Sequence, residues 1–215
     1  MIIHILAGGP DEQVPTLVNQ WKDAEWIGVD RGVFSLLQQN ITPRKAFGDF
    51  DSITEEQLEY VRKQLGDIEL YPAEKDATDL ELAFQWAIKQ NPQMIRLFGA
   101  TGGRLDHMFG TLQLLYRGLS AEIEVQMIDK QNSIQLFSAG AYTVEASKYR
   151  YVSFIPYSQD VEGLTLEGFK YPLTNHQVEL GSTLCISNEL IQQRGTFSFN
   201  KGILMMVRSN DEGCL

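Results

Sequence analysis

The chain is poor in the residues that build disulfide and zinc centres. It has two cysteines, Cys185 and Cys214, far apart in sequence, and three scattered histidines, His4, His107 and His176. No CxxC pair or Cys/His cluster occurs, so neither a disulfide framework nor a structural zinc site is expected. Long apolar runs are absent too, and with them any expectation of a membrane-spanning helix. The opening stretch MIIHILAGGP is too brief for the apolar centre of a signal peptide and carries no basic leader. The expected location is the reducing cytoplasm. Basic residues are in deficit: 18 Lys and Arg against 28 Asp and Glu leave a formal net charge of −10. That balance argues against nucleic acid or an anionic membrane as a partner and favours cations, while also serving solubility. Several familiar signatures are missing. There is no GxxxxGK followed by Ser or Thr, no GxGxxG and no GxSxG, so an ordinary P-loop, a dinucleotide fingerprint and a nucleophile elbow are not expected.

What is present divides into two patterns. Over residues 1–130, short apolar runs alternate with helical periodicity. The runs are 2–9, 25–30, 44–49, 68–72, 94–100 and 122–129, and most end in Gly or Asp. Between them, 54–66 opens with a capping box, Thr54 to Gln57, and closes at Gly66. The stretch 78–92 opens with a second, Thr78 to Glu81, spaces Leu80, Ala83, Phe84, Ala87 and Ile88 on one helical face, and stops at Pro92. A third helix, 104–119, spaces Leu105, Met108, Phe109, Leu112, Leu115 and Tyr116 in the same way. Strands alternating with helices imply a mainly parallel sheet covered on both faces. From about Asp129 to Ser133 onward the pattern becomes short, β-rich and broken by Gly, Asn and Pro. An all-β sandwich or jelly-roll-like domain is expected over 131–215.

Ligands of open α/β sheets bind outside the carboxyl ends of the strands. Those ends read AGG (7–9), VDRG (29–32), GDFDS (48–52), PAEKDATD (72–79) and GATGGRLDH (99–107). On an extended chain Asp49 and Asp51 would project to one side, their carboxylates ~6 Å apart, and would repel by about 3 kcal/mol at an effective dielectric of about 20. A divalent cation reverses that repulsion, and carboxylate oxygens suit magnesium. The alternative is a turn in which Asp51 or Ser52 caps the following helix. Asp76 and Asp79 stand at the next helix start, where capping again competes with metal binding. In GATGGRLDH, Gly99, Gly102 and Gly103 permit close backbone approach, the following helix offers free N–H groups, and Arg104 supplies a planar fork for phosphate. A glycine-rich turn with a surface arginine is the plainer alternative. The residues alone reach a magnesium–phosphate cleft in an α/β domain, with a β domain attached.

The ordered set GVDRG, GDFDS, EKDATD and GATGGRLDH, followed by YPLTN (171–175) and ISNE (186–189), resembles the thiamine pyrophosphokinase family. The resemblance runs from Ala7 to about Gly202. It implies an α/β catalytic domain (1–130) that binds ATP and Mg2+, and a β-sandwich (131–215) that binds thiamine and mediates dimerisation. It also implies diphosphate transfer from ATP to thiamine in a homodimer with shared active sites. By motif, Asp49, Asp51 and Asp79 would hold Mg2+ and the phosphates. Asp30, Thr78, Gly102, Gly103 and Arg104 would contact ATP. Asp106 and His107 would lie near thiamine, with Asp106 beside the reacting hydroxyl, and Ser187 and Asn188 would reach thiamine from the partner. No role is assigned to Lys75 or Asp76. A magnesium-dependent phosphohydrolase, a pyrophosphokinase for another small alcohol, and a non-enzymatic nucleotide or thiamine sensor are the competing readings.

Overall fold

The computed structural model describes residues 1–17, 21, 24–66, 70–71 and 77–211. Two compact units follow one another, Met1–Lys130 and Gln131–Leu215. The first is α/β and the second all-β. No described helix is long and apolar enough to cross a membrane.

In the first unit the strands are β1 (Ile2–Leu6), β2 (Glu25–Val29), β3 (Lys45–Phe47), β4 (Leu70–Tyr71), β5 (Met94–Phe98) and β6 (Glu124–Ile128). All pair in parallel, in the order β4-β3-β2-β1-β5-β6. Their side chains alternate between two buried faces, as a parallel sheet covered on both sides requires. One face carries Leu6, Trp26, Phe98 and Ile128, packed with Val14 and Leu17 from the segment after β1 and with Leu36. Helices α1 (Arg31–Gln38), α2 (Glu55–Leu65), α3 (Asp79–Lys89) and α4 (Leu105–Ser120) complete the unit.

Helix α2 starts as its sequence requires. The Thr54 side chain accepts the Gln57 N–H, the Gln57 side chain accepts the Thr54 N–H, and Gly66 ends the helix at φ 58°. In α3 only half of the expected box forms. Thr78 Oγ accepts the Glu81 N–H, but the Glu81 carboxylate turns to Arg117 and Gln85 instead of folding back. Helix α1 was not among the expected helices. It buries Val33, Leu36 and Leu37 at one-face spacing but begins at Asp30, whose side chain makes no cap bond.

The expected buried face of α4 is corrected. Leu115 of the expected face is buried, but Thr111, Leu114 and Gly118 complete the side against the core, whereas Leu105, Phe109 and Tyr116 are 64%, 56% and 42% exposed. Small residues set the contact: a Cβ on Gly118 would lie 2.1 Å from a Val125 methyl of β6. The helix therefore sits close on Gly118, and Leu105, Phe109 and Tyr116 face outward.

The second unit contains β7 (Asn132–Glu145), β8 (Tyr151–Pro156), β9 (Val161–Glu167), β10 (Leu173–Val178), β11 (Asn188–Glu189) and β12 (Arg194–Ser209). Pairing is antiparallel throughout. β12 pairs with β9 through its first half and with β8 through its second, while β7 follows it along its length with a register break between Phe199 and Ile203. Gly202, at φ 102°, lies in that break. The bend brings Phe154 of β8 onto Phe197 of the first half of β12, with ring centroids 4.9 Å apart. Val152, Phe154, Leu164, Leu166, Phe197, Phe199 and Leu204 form one enclosed core. Between the end of β10 and the two residues of β11 the chain runs through turns.

Candidate functional site

The strand order reverses between β1 and β5, which opens a crevice at their carboxyl ends. Two glycine loops meet there backbone to backbone. Ala7 N–H donates to Phe98 O at 2.9 Å and Gly9 N–H to Gly99 O at 2.8 Å. A Cβ on Gly9 would stand 2.2 Å from that same oxygen, so no larger residue fits. Gly102 (φ 78°) and Gly103 follow, exposed, and lead into α4. Arg104 occupies the N-cap position without a side-chain cap bond. Its guanidinium forks onto Asp106, Nε to Oδ1 at 3.1 Å and Nη2 to Oδ2 at 2.6 Å. Each partner stabilises the other's charged form, so Arg104 is shifted up and Asp106 down. Asp106 Oδ1 also accepts the His107 N–H at 2.9 Å. The pair is exposed and weak, so an incoming phosphate would compete with Asp106 for the same fork.

Four aspartates interact near the ends of β2 and β3 and the start of α3. Burial is the first cause that raises the Asp30 carboxyl, to about 7, followed by the charges of Asp79 and Asp49 and, more weakly, Asp51. Asp79 is raised for the same reasons, burial first and then Asp49. Asp30 Oδ1 and Asp79 Oδ1 are buried and have no hydrogen-bond partner among the described residues. The expected geometry of Asp49 and Asp51 is corrected. The chain is not extended there: Gly48 has φ 122° and Phe50 φ 62°, and Asp49 Oδ1 accepts the Asp51 N–H at 3.1 Å. The two carboxylates belong to a turn, with Asp49 and Asp51 exposed and Phe50 buried between them.

Unpartnered, partly buried carboxylate oxygens of Asp30 and Asp79, held beside the charges of Asp49 and Asp51, suit a hard divalent cation. Among the described residues, however, no three Asp, Glu, His or Cys side chains are gathered closely enough to ligate one ion. The structure thus has the charge for a cation without a completed ligand shell. Thr78 caps α3, so its hydroxyl oxygen is already engaged. Lys75 and Asp76 lie outside the described residues.

In the second unit, Ser187 is exposed and held at φ 56°, its N–H donating to Ser153 Oγ at 2.9 Å. Asn188 behaves differently from expectation. It is 2% exposed, and its amide clamps Tyr171: Oδ1 accepts the Tyr171 N–H at 3.0 Å and Nδ2 donates to the Tyr171 carbonyl at 2.9 Å. Oδ1 also takes the Glu189 N–H. Asn188 therefore fixes the Tyr171 turn and does not present its amide outward. Two features escaped the sequence reading. Tyr171 is 58% exposed on that clamp, and Asp129, which the sequence marks only as a boundary, is buried with a carboxylate oxygen 2.8 Å from Thr101 Oγ. Both depend on partners 17 to 28 residues away, which no local pattern announces.

Two family models match the chain. One, described as thiamin pyrophosphokinase, catalytic domain, covers residues 17–127, and another, described as thiamin pyrophosphokinase, vitamin B1 binding domain, covers 141–204. The protein named thiamine pyrophosphokinase from Bacillus subtilis (strain 168) is 54% identical over 211 residues, 97% of this chain and 99% of its own. The crystal structure of thiamine pyrophosphokinase from Bacillus subtilis superposes with a TM-score of 0.96 at 53% identity, covering 98% of this chain and all of that one. The thiamin pyrophosphokinase from Geobacillus thermodenitrificans gives 0.93 at 51% identity, with full coverage of both chains. The chain belongs to the thiamine pyrophosphokinase family.

Proposed function

We propose that this protein transfers the diphosphate group of ATP to the hydroxyl of thiamine, giving thiamine diphosphate and AMP. The match of both halves, one to a catalytic model and the other to a vitamin B1-binding model, carries the reading. In the reaction the thiamine hydroxyl oxygen bonds to the β-phosphorus of ATP, the bond from that phosphorus to the α–β bridging oxygen breaks, and AMP leaves. Such transfers depend on positioning and on neutralising charge at the phosphoryl oxygens.

The residues take roles that suit this chemistry. The backbone of Gly102 and Gly103 and the amino end of α4 would receive phosphate oxygens. Arg104 would exchange Asp106 for phosphate, leaving Asp106 to accept the proton of the thiamine hydroxyl beside His107. The Thr78 hydroxyl hydrogen is available in kind to a phosphate oxygen, and Asp30 would lie by the nucleotide. Asp49, Asp51 and Asp79 would hold Mg2+, which when bound offsets the phosphate charge; the orphaned Asp30 and Asp79 oxygens support that assignment. Ser187 would meet thiamine from the β unit, with Asn188 behind it. A homodimer with shared active sites completes the reading, supported by the outward stripe Leu105, Phe109 and Tyr116 and by exposed Leu184, Ile186 and Ile191.

Incubation with thiamine, ATP and Mg2+, followed by chromatography, tests the reaction. Equal amounts of AMP and thiamine diphosphate are expected. ADP or free phosphate as the product overturns it, and so does binding of both substrates without turnover.

A further inference from the structure

We infer that Asp129, at the end of β6, is a positioning residue that holds the glycine loop for nucleotide binding. The inference rests on the reading that this loop receives ATP. Asp129 is 3% exposed, and its Oδ2 accepts the Thr101 hydroxyl at 2.8 Å. Thr101 lies between Gly99 and Gly102, both at positive φ (64° and 78°). Such backbone is pliable and has little intrinsic reason to hold one shape. The next residue anchors the opposite loop: Lys130 N–H donates to Gln13 O at 2.9 Å. Gln13 in turn lies against Gly102, its Cγ 2.4 Å from where a Cβ would be. Gly9 N–H closes the ring onto Gly99 O. One dipeptide, Asp129-Lys130, thereby fixes both walls of the crevice.

Chemistry explains the buried acid. A carboxylate makes a stronger bond to a hydroxyl than a neutral acceptor does. Thr101 is therefore held firmly, and with it the N–H groups of residues 102–104. A loop set before the nucleotide arrives need not be ordered on binding, and a small misplacement of phosphate is costly in rate.

Thr101→Val removes only the hydroxyl at nearly constant shape. It is expected to weaken binding of a non-hydrolysable ATP analogue and to lower kcat/KM for ATP by about tenfold or more. The KM for thiamine should stay within about twofold, and the chain should remain folded by circular dichroism. Thr101→Ser should restore ATP binding. In an Asp129→Leu background, Thr101→Val should add no further loss, because the pair acts as a unit; if that background does not fold, the Val and Ser variants decide alone. Wild-type ATP binding and turnover in Thr101→Val, or failure of Ser to restore them, overturns the inference. Absence of AMP formation by the wild type would instead defeat the diphosphokinase reading, while analogue binding by the two Thr101 variants still decides the anchor.

Discussion

Asp30 Oδ1 occupies the space a side chain at Gly48 would need: a Cβ built on Gly48 lies 1.9 Å from that oxygen. Gly48 also has φ 122°, where a non-glycine residue is strained. The glycine therefore fixes where the least solvated carboxylate of the acidic cluster can stand. Gly48→Ala is expected to lower the melting temperature by several degrees, since about 1–3 kcal/mol of strain corresponds to roughly 2–4 °C per kcal/mol in a chain of this size. Turnover should fall at least about a hundredfold, because Asp30 must move. Activity near wild type in the folded variant would mean that Asp30 needs no fixed position.

Asp30 also sets a pH dependence. Its carboxyl is raised from 3.8 to about 7 in the fold, so between those values the folded chain binds the extra proton. The Asp30 contribution to stability is then complete below about pH 4 and declines as pH rises toward 7. Asp79, raised by burial and the same neighbours, adds in that direction. In Mg2+-free buffer, Asp30→Asn should gain in urea midpoint over wild type as pH goes from 4 to 7.5. Adding Mg2+ at pH 7.5 should stabilise wild type more than the variant. A midpoint difference that does not change with pH would contradict this assignment.

His4 works with the opposite sign. Its ring is buried among Trp21, Trp26 and Phe98, with centroids 5.6, 4.7 and 5.4 Å away. Arg96 Nη1 lies 3.2 Å from its Nε2. Arginine can only donate, so Nε2 accepts and the proton resides on Nδ1. Burial, then the Arg96 charge, lowers the pKa from 6.5 to about 3. Unfolded chains take up a proton here below 6.5 and the folded one does not, so stability is lost as pH falls from 6.5 toward 3. His4→Leu should lose less urea midpoint between pH 7 and 4.5 than wild type does. A parallel loss in both would place the acid sensitivity elsewhere.

Local signals were legible and their tertiary use was not. The Thr54–Gln57 box lies within four residues and forms as written. Its counterpart at Thr78 is half formed because Arg117, on another helix, takes the Glu81 carboxylate. Short apolar runs ending in Gly or Asp identify parallel strands, since a strand buried on both faces has no room for polar alternation. The periodicity of α4 marks a stripe but not the side on which the sheet lies, and Gly118 and Thr111 decided that. GDFDS turns where the residue spacing suggests an extended chain, because Gly48 and Phe50 hold positive φ and Asp49 Oδ1 takes the Asp51 N–H, while Phe50 packs with Val33, Leu37, Ala46 and Val61. The aspartates could be named from sequence, whereas their coupling to Asp30 needed the fold.

The outward face of α4 bears on assembly. Leu105 and Phe109 are more than half exposed at four-residue spacing, close to Arg104 and Asp106. If two copies share their active sites, Phe109→Asp should shift the sedimentation profile from dimer to monomer and lower turnover together. Full activity of the monomeric variant at high dilution would refute a shared site.

Arg104 and Asp106 separate binding from chemistry. Arg104→Lys keeps the charge but loses the fork that can meet two phosphate oxygens at once. It is expected to raise the KM for ATP about tenfold with a smaller change in kcat. Asp106→Asn releases Arg104 from its bidentate partner, so ATP should bind at least as well as in wild type. If Asp106 accepts the thiamine proton, kcat should nonetheless fall by about 10²–10⁴-fold, the usual worth of a positioned base. Steady-state kinetics with each substrate varied in turn reads both effects. An Asp106→Asn enzyme with unchanged kcat and tighter ATP would leave Asp106 as a restraint on Arg104, with no part in the proton transfer.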